Sequence, residues 1–517
     1  MRKPFFILCL IVLTVSTLFA QNNVLLPSYG EQWKWGNIKV NGKLDSLYPN
    51  NTLKKVIVEN SIIDSIQLQD AIENTIQFFE QTGYPFVAIS FDSIQKNYSS
   101  HTIQAILKLE LNARVQLDSL KIIGDKNISE RYLINYLGLK PNSIYDERKI
   151  KDIQNRIDEL TFLRLKNPVQ VYFVNNKAKV VLNTEKRNAN KFDGLIGIQP
   201  TNTNQRTTII GQAQLYLINV LKKGEKLSVD FKSQANSTRD IKVYANYPYV
   251  FNSNFGVDVN IDLRRQDTTF SNFGRGIGIQ YLFTGNNQIR FIYRVDESNL
   301  LSTKKYENVT VLPNNIDVKK YSYGINFQYE KLDYRINPKR GYSVQSTTLL
   351  GTRTILKNSS IEDSLYKDYD LSTKQILFMI SFKKYFNIYK KNILLAAVQS
   401  KWIASEKLFN NELLRLGGIN DLRGFDEEAI FASYVLQSTL EYRYILDRNS
   451  FFRLFYDQAY FKNELTQTED YPYGIGLGVQ MQTAAGMLQL NYALGSQAGS
   501  GLNFQTGKIH FGIINYF

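Results

Sequence analysis

Side chains that could carry acid–base or nucleophilic chemistry are scarce in this sequence. His101 and His510 are its only histidines, and they stand in very different parts of the chain. A Ser-His-Asp arrangement or a cluster of metal ligands needs several such groups to converge in one place. Cys9 is the only cysteine, which excludes a disulfide framework and a thiolate metal site. We therefore predict that the protein is not an enzyme and has no catalytic residues, no bound metal and no cofactor.

Arg423 carries a permanent charge that restricts where its segment can fold. It stands in a long polar segment, and its guanidinium stays ionised at every physiological pH. If this segment folds into the interior of the protein, the guanidinium needs a carboxylate partner there. The alternating patterns of the next two predicted strands place Glu441 and Asp457 on inward faces of neighbouring strands. We predict that these two acids clamp Arg423; the alternative is that they only line a hydrated interior.

These three residues lie in a region, 192–517, that consists almost entirely of alternating polar and apolar residues. Successive side chains of a β-strand point to opposite faces, so each such segment has one apolar and one polar face. Clear examples run over 255–264, 321–330 and 475–482. A soluble β-sandwich and a membrane-spanning barrel would both give this alternation.

Two features favour the barrel. The segments are about ten or more residues long, which is the length that a tilted strand needs to cross a bilayer. Short and long connections also alternate along the chain, as they do in outer-membrane barrels. The short ones are 222–225, 249–254, 283–288, 446–450 and 483–486, and the long ones are 296–320, 352–374, 405–433 and 462–472. We predict an all-β transmembrane barrel of about 16 antiparallel strands over residues 192–517.

The N-terminus has the pattern of a secretory signal peptide. Arg2 and Lys3 precede an apolar run that ends at Val15, and Ala20 is a small residue at the expected cleavage site. The run is short for a membrane helix, although a retained anchor helix is the alternative. Export argues against nucleic acid as a partner, and the formal net charge of +15 then indicates an anionic lipid surface. We predict a signal peptide over residues 1–20.

Residues 21–191 mix helical and strand patterns, which predicts an α+β fold for this part. A β-α-α-β-β unit occupies 117–191, with Ser129 and Asp146 as helix N-caps and Gly138 as a helix stop. A helix near 65–80 and two strands after it are similar to the second half of the same unit. We therefore predict a partial unit within 21–116, where residues 21–64 give no clear pattern.

Three elements resemble the BamA/TamA family of outer-membrane assembly factors, of the bacterial surface antigen type. The β-α-α-β-β units are similar to its POTRA domains, and the run 473–492, with its alternating glycines, resembles its penultimate strands. The third element is a glycine pair followed by an Arg-Gly-aromatic motif in the long loop after the eleventh predicted strand. In this chain the matching residues are Gly417, Gly418, Arg423, Gly424 and Phe425.

The resemblance implies roles for several residues. The family holds the motif arginine with acids at positions that match Glu441 and Asp457. It also uses the last strand in recognition, and here that strand contains Phe511 and ends on Phe517. A terminal outward-facing phenylalanine suits a membrane interface in any case.

The resemblance also implies that the protein inserts or translocates other proteins in the outer membrane of a Gram-negative cell, with its N-terminal region in the periplasm. The expected partners are unfolded outer-membrane or secreted client proteins, outer-membrane lipids, and accessory periplasmic proteins or lipoproteins. Client strands would be added at a seam between the first barrel strand (193–201) and the last, and at the edges of the POTRA sheets.

Two other functions remain open. A two-partner secretion pore fits the room for about two POTRA units, because the assembly factor itself commonly carries five. A passive porin would account for the barrel but not for the POTRA-like units or the inward loop.

Overall fold

The computed structural model describes residues 32–41, 52–125, 127–200, 207–233, 238–283, 285–307, 309–334, 337–483, 486–497 and 500–517. The predicted signal peptide lies outside these residues. The chain divides into two compact units, Met1–Arg114 and Val115–Phe517. Among the described residues, no helix is long and apolar enough to cross a membrane.

The first unit is a small β-α-α-β-β fold. Its elements are β1 (Lys34–Asn41), α1 (Thr52–Val56), α2 (Ser65–Gln81), β2 (Ala88–Asn97) and β3 (Thr102–Glu110). Strand β3 lies in the middle of the sheet, parallel to β1 and antiparallel to β2. The sequence predicted only α2 and the two strands after it; β1 and α1 complete the unit. The Asp64 carboxylate caps α2 by accepting hydrogen bonds from the backbone of Ile66 and Gln67.

The second unit begins with another fold of this kind. Its elements are β4 (Gln116–Gly124), α3 (Glu130–Leu137), α4 (Glu147–Asp158), β5 (Leu163–Leu165), β6 (Gln170–Val174) and β7 (Lys177–Lys186). Ser129 and Asp146 cap the two helices, and Gly138 ends α3 in the left-handed region at φ 67°, as the sequence predicts. Strand β7 pairs with β4 on one side and with β5 and β6 on the other. We call residues 115–190 the POTRA-like domain.

The rest of the second unit is a closed antiparallel barrel, so the predicted fold class is confirmed. Its first eleven strands are β8 (Lys191–Pro200), β9 (Thr207–Ile218), β10 (Lys226–Ser233), β11 (Arg239–Tyr247), β12 (Phe255–Gln266), β13 (Phe270–Leu282), β14 (Gln288–Leu300), β15 (Asp317–Leu332), β16 (Gly341–Leu356), β17 (Ser372–Tyr389) and β18 (Asn392–Ser405). After two short strands inside a loop, β19 (Leu414–Leu416) and β20 (Ile430–Ala432), the barrel continues with β21 (Tyr434–Ile445), β22 (Phe451–Asn463), β23 (Thr468–Asp470), β24 (Tyr473–Thr483), β25 (Gly486–Ser496) and β26 (Lys508–Tyr516).

Sixteen strands close the barrel in the described part of the chain, because β23 and β24 pair in succession with the same strand, β22. The ring closes where β26 pairs with β8. Its outward face is apolar: Val257, Val259 and Ile261 are exposed, whereas Asp258 between them is buried and faces inward. This alternation matches a lipid-facing wall around a polar interior.

Short turns and long loops lie at opposite ends of the barrel. One end, here called the turn end, carries both the entry to β8 and the exit of β26, and its turns include 219–225, 248–254 and 390–391. The other, the loop end, carries the connections 301–316, 357–371, 406–433 and 497–507. It also carries a short turn, 267–269, that the alternation of lengths did not predict.

The POTRA-like domain packs on the turn end of the barrel. Three residues in or next to barrel turns, Ile218, Tyr249 and Leu282, belong to the same buried apolar cluster as the core of this domain. Tyr132 of α3 meets Tyr249 edge to face at 5.4 Å between ring centroids. Burial raises the pKa of the Tyr249 phenol. The domain and the barrel therefore share one hydrophobic core.

Candidate functional site

The loop 406–433 forms a hairpin against the inner wall of the barrel. Strand β19 pairs with β20, which leaves residues 417–429 as the tip. We call residues 414–432 the inner hairpin. Its apolar residues Leu416, Leu422 and Ile430 pack on the inward-facing wall residues Ala459 and Phe461, among others. The segment therefore folds inward, because burying these side chains removes them from the solvent around the loop end.

The glycine pair allows the tip to double back on itself. Gly417 and Gly418 have φ angles of 120° and 107°, where other residues are strained. A Cβ on Gly417 would lie 2.3 Å from the backbone oxygen of Asp426, and one on Gly418 would lie 1.9 Å from a carboxylate oxygen of Glu427. The two glycines therefore make room for the returning strand of the tip.

Arg423 lies between two wall strands and contacts acids on both. Its Nε and Nη2 donate to the two oxygens of Asp457 at 2.6 and 2.8 Å, and its Nη1 donates to Glu441 Oε2 at 2.6 Å. The guanidinium also stacks on Phe455, with its Cζ 3.6 Å from the ring centroid. The structure thus brings together the three residues that the sequence singled out. Charge-assisted bonds of this bidentate kind are the strongest class of hydrogen bond in proteins.

The two acids have further partners that hold them in place. The Thr439 hydroxyl donates to Asp457 Oδ1 at 2.7 Å, and Arg443 Nε donates to Glu441 Oε1 at 2.7 Å. The side chain of Asp457 is only 1% exposed. A carboxylate this deeply buried would be costly without a cation, so removing Arg423 would leave an uncompensated charge.

Two wall glycines accommodate the backbone of the Arg-Gly-Phe motif. Gly474 and Gly495 lie opposite each other on β24 and β25. A Cβ on Gly474 would lie 1.9 Å from the backbone oxygen of Arg423, and one on Gly495 would lie 2.5 Å from that of Gly424. Gly424 itself has φ 94° and approaches the backbone of Leu494 closely. The alternating glycines of β24 are evident in the sequence, whereas the role of Gly495 and this contact are not.

Phe425 packs with the apolar side chains that anchor the inner hairpin. The two aromatic residues predicted in the last strand lie elsewhere. Phe511 is on the outward face of β26 and is 48% exposed. Phe517 is also half exposed, and its backbone N–H donates to the oxygen of Asn190 at 2.9 Å, next to the start of β8. Neither contacts the inner hairpin through a hydrogen bond that the structure describes.

A second anchor, which the sequence does not predict, holds the beginning of the same loop. Arg353 of β16 donates from Nε to Glu412 Oε1 at 2.9 Å and from Nη2 to Oε2 at 2.8 Å. Both side chains are 1% exposed. Thr373 accepts from Arg353, and Gln375 donates to Glu412. Because Arg353 and Glu412 are 59 residues apart, no local pattern links them.

Comparisons with known proteins agree with this architecture. Residues 219–515 match the model of the Omp85 superfamily domain. Among solved structures, BamA from Haemophilus ducreyi lacking POTRA domains 1–3 aligns with a TM-score of 0.52 at 14% identity, covering 94% of this chain and all of that one. CdiB from Escherichia coli aligns with a TM-score of 0.56 at 14% identity, covering 96% and 93% of the two chains.

CdiB from Acinetobacter baumannii gives the same TM-score at 12% identity, covering 96% of this chain and 92% of that one. No curated protein matches the sequence. At these identities the structural likeness establishes the fold alone, and it extends to two differently named proteins. The matched domain covers more than half of the chain, and the fold is a sixteen-stranded barrel with POTRA-like domains. This chain is therefore an outer-membrane β-barrel protein and belongs to the Omp85 superfamily.

Proposed function

We propose that the protein is an insertase or translocase that helps other proteins to assemble in the outer membrane or to cross it. The observation that carries the proposal is the inner hairpin, which packs inside the barrel on its wall and is fixed by Arg423 between Glu441 and Asp457. A bore that holds such a segment is a poor open channel for solutes. The arrangement favours a route for client proteins that passes through the wall of the barrel.

The route in this proposal is the seam between β8 and β26. These strands pair over eight residues, as many as β10 and β11 and half of the sixteen that join β15 and β16. Glycines occur on both sides, Gly194 and Gly197 on β8 and Gly512 on β26, and glycine weakens a strand. A strand edge exposed by opening would pair with a client strand through backbone hydrogen bonds.

Backbone pairing at a strand edge also supports a role of the POTRA-like domain in recruiting clients. In the sheet of the POTRA-like domain, β6 pairs only with β7 among the described strands, which leaves one edge for an extended client segment. The turn end and this domain would face the periplasm, and accessory periplasmic proteins or lipoproteins would bind there. No nucleotide or metal enters the proposal, because the folding of the client into lipid supplies the free energy.

A second candidate is a two-partner secretion pore. It is favoured by the two β-α-α-β-β folds of the described residues, since the resemblance implies that assembly factors commonly carry five. In this reading, the inner hairpin would have to leave the bore while a single secreted substrate passes. The rest of the architecture is equally compatible with both functions.

A depletion experiment separates the two candidates. When the protein is depleted, an insertase would lower the amounts of many other outer-membrane barrel proteins in a quantitative proteome. A secretion pore would abolish one secreted substrate and leave the barrel proteins unchanged. If neither changes and only solute uptake falls, both proposals are wrong and a passive porin remains.

A further inference from the structure

The tip of the inner hairpin contacts both sides of the seam through adjacent residues. Asp426 forms an ion pair with Lys508, on the inward face of the last strand, β26. Glu427, the next residue, forms one with Lys232 on the inward face of β10. Strands β8 and β9 lie between these two partners in the ring. One peptide unit therefore joins the two flanks of the seam from inside the bore.

Glu428 extends the contact on the β8 side of the seam. It forms an ion pair with Arg264 of β12, which is also 3.2 Å from Asp240 of β11. Lys232 lies 3.8 Å from Glu428 as well. Consecutive acids of the tip thus hold cations on β26, β10 and β12. Each acid is paired with a cation at an inward-facing position. A segment that only occupied space inside the barrel would not need such matched charges.

The segment that carries these acids is well fixed. The backbone N–H of Glu428 donates to the oxygen of Gly417 at 3.2 Å, and the carboxylate of Glu427 lies against Gly418, where any side chain would collide with it. The side chains of Glu427 and Lys232 are 11% and 24% exposed, and those of Lys508 and Asp426 are 12% and 41% exposed. Ion pairs that are partly removed from water are screened less by salt than surface pairs.

We propose that residues 426–428 form a seam latch, a segment that holds the strands on the two flanks of the β8–β26 seam together from the inside. Separating β26 from β8 moves Lys508 away from Lys232 and Arg264, and a rigid tip cannot follow both. At least one of the ion pairs must break before the seam opens. The latch deepens the proposed function, since it regulates the opening on which that function rests.

Hydrogen exchange of the purified protein in lipid nanodiscs, without any client, tests the latch. Amides of paired strands exchange only after the pairing opens, so the exchange rate of peptides covering 508–516 and 191–200 reports opening of the seam. Asp426→Asn and Glu427→Gln should each raise this rate about fivefold to tenfold, since each removes a charge-assisted contact. Peptides from β15 and β16 should exchange at the rate of the unmodified protein.

Asp421→Asn is the matched control. Asp421 belongs to the same tip and pairs at 3.1 Å with Lys401 of β18, a strand that does not flank the seam. This variant loses the same charge from the same loop and should leave the seam peptides unchanged. Equal acceleration by Asp421→Asn would mean that any loosening of the hairpin acts on the seam, and the latch would be overturned. No acceleration in either latch variant would overturn it too.

A charge swap keeps the test decisive if a single variant inserts poorly. Asp426→Lys alone should accelerate exchange, and adding Lys508→Asp should bring the rate back toward that of the unmodified protein. Acceleration that persists in the double variant would contradict the latch. These measurements involve no client, so they are independent of the depletion experiment. If depletion changes neither the barrel proteins nor a secreted substrate, the proposed function is wrong. If the exchange rates of the seam peptides do not change, only the latch is wrong.

Discussion

At the scale of single residues, Arg423 is held between two inward-facing acids of the barrel wall. Its two acids lie on neighbouring strands, and its aromatic neighbour Phe455 lies on the second of them. The position of each charged group is fixed by strand alternation, because Glu441 and Asp457 occupy inward sites of β21 and β22. Whether Arg423 reaches these two acids depends only on the path of the loop 406–433.

Replacing Arg423 by alanine should therefore weaken function while the barrel stays in the membrane. Asp457 would lose its cation, whereas Glu441 would keep Arg443, and a buried carboxylate left alone in this way should cost about 3–5 kcal/mol of stability in the hairpin region. Arg423→Lys should rescue little, because an ammonium cannot make the bidentate contact. Client assembly and heat-modifiable gel migration are the measurements.

Arg164→Ala is a suitable control, since Arg164 pairs with Glu185 in a similar geometry but at an exposed site, where a pair contributes little. Normal client assembly by the Arg423→Ala protein would show that this contact is not needed for function.

A side chain at the wall glycine Gly474 should destabilise the protein. Gly474→Ala places a Cβ against the backbone oxygen of Arg423, and backbone cannot move aside as a flexible side chain can. We expect a loss of about 1–3 kcal/mol, as for overpacking elsewhere, measured as a lower Tm. Gly211→Ala is the control, because its Cβ would meet nothing nearer than 3.8 Å; an equal fall in Tm for both would contradict the argument.

The sequence predicts some residues of the site but not others. Alternation gave the inward faces, and the glycine and Arg-Gly-Phe motif gave the loop, so Arg423, Glu441 and Asp457 could be placed in one group. Gly495, the Arg353–Glu412 pair and the partners of Asp426 could not. Each depends on the register at which a folded loop meets a distant strand, and that register leaves no local periodic signal.

At the scale of elements, the loop 406–433 is held at two places by buried charge. The Arg353–Glu412 pair fixes its start at the loop end of the barrel, beside a cluster of buried apolar residues that includes Phe270, Ile316 and Phe409. Asn411, next to Glu412, donates to Ser298 Oγ at 2.6 Å and to the Ile316 oxygen at 2.8 Å. The loop therefore joins several barrel strands before it turns inward.

Glu412→Gln should destabilise this end of the loop by about 3–5 kcal/mol, because Arg353 would remain buried without a counter-charge. Replacing both partners, Arg353→Met with Glu412→Leu, should recover much of the loss, since apolar residues often replace a buried pair without penalty. Limited proteolysis of the loop 406–433 and thermal unfolding measure both effects. A double variant that is less stable than either single one would argue against an isolated pair.

The elements themselves were largely predictable, and the exceptions have physical reasons. Period-two alternation found the barrel strands, and the long connections came from polar segments without it. The turn 267–269 was missed because three residues between two strands barely interrupt the pattern. Strands β19 and β20 have three residues each, too few for a period to be seen.

At the scale of the whole second unit, the POTRA-like domain and the barrel form one packed body. Tyr132 contacts Tyr249 and covers Gly224, where a Cβ would lie 2.0 Å from its ring. Backbone hydrogen bonds reinforce this contact, since the N–H of Ser129 donates to the oxygen of Lys222 at 3.0 Å. A domain held in this way would deliver a client to a fixed part of the barrel.

Tyr132→Ala should loosen that attachment by about 3 kcal/mol, the usual cost of truncating a buried aromatic residue. Faster proteolysis between 187 and 191 would report the loosening. Tyr172→Ala, an exposed position in the same domain, should leave cleavage unchanged. Cleavage at the same rate in both variants would mean that other contacts, such as those of Asn219 with Asn127, dominate.

Opening of the seam would change the whole barrel, because β8 and β26 are the strands that close the ring. Leu195 and Gly512 are register partners across β8 and β26, and directly paired strand positions have the spacing that a disulfide requires. In a chain with Cys9→Ala, the pair Leu195→Cys and Gly512→Cys should stop client assembly when oxidised and restore it when reduced. Asn326→Cys with Thr347→Cys, a pair across β15 and β16, should have no effect, since those strands need not part. Full activity of the oxidised seam pair would exclude lateral opening and direct attention to passage through the bore, where the inner hairpin would have to move instead.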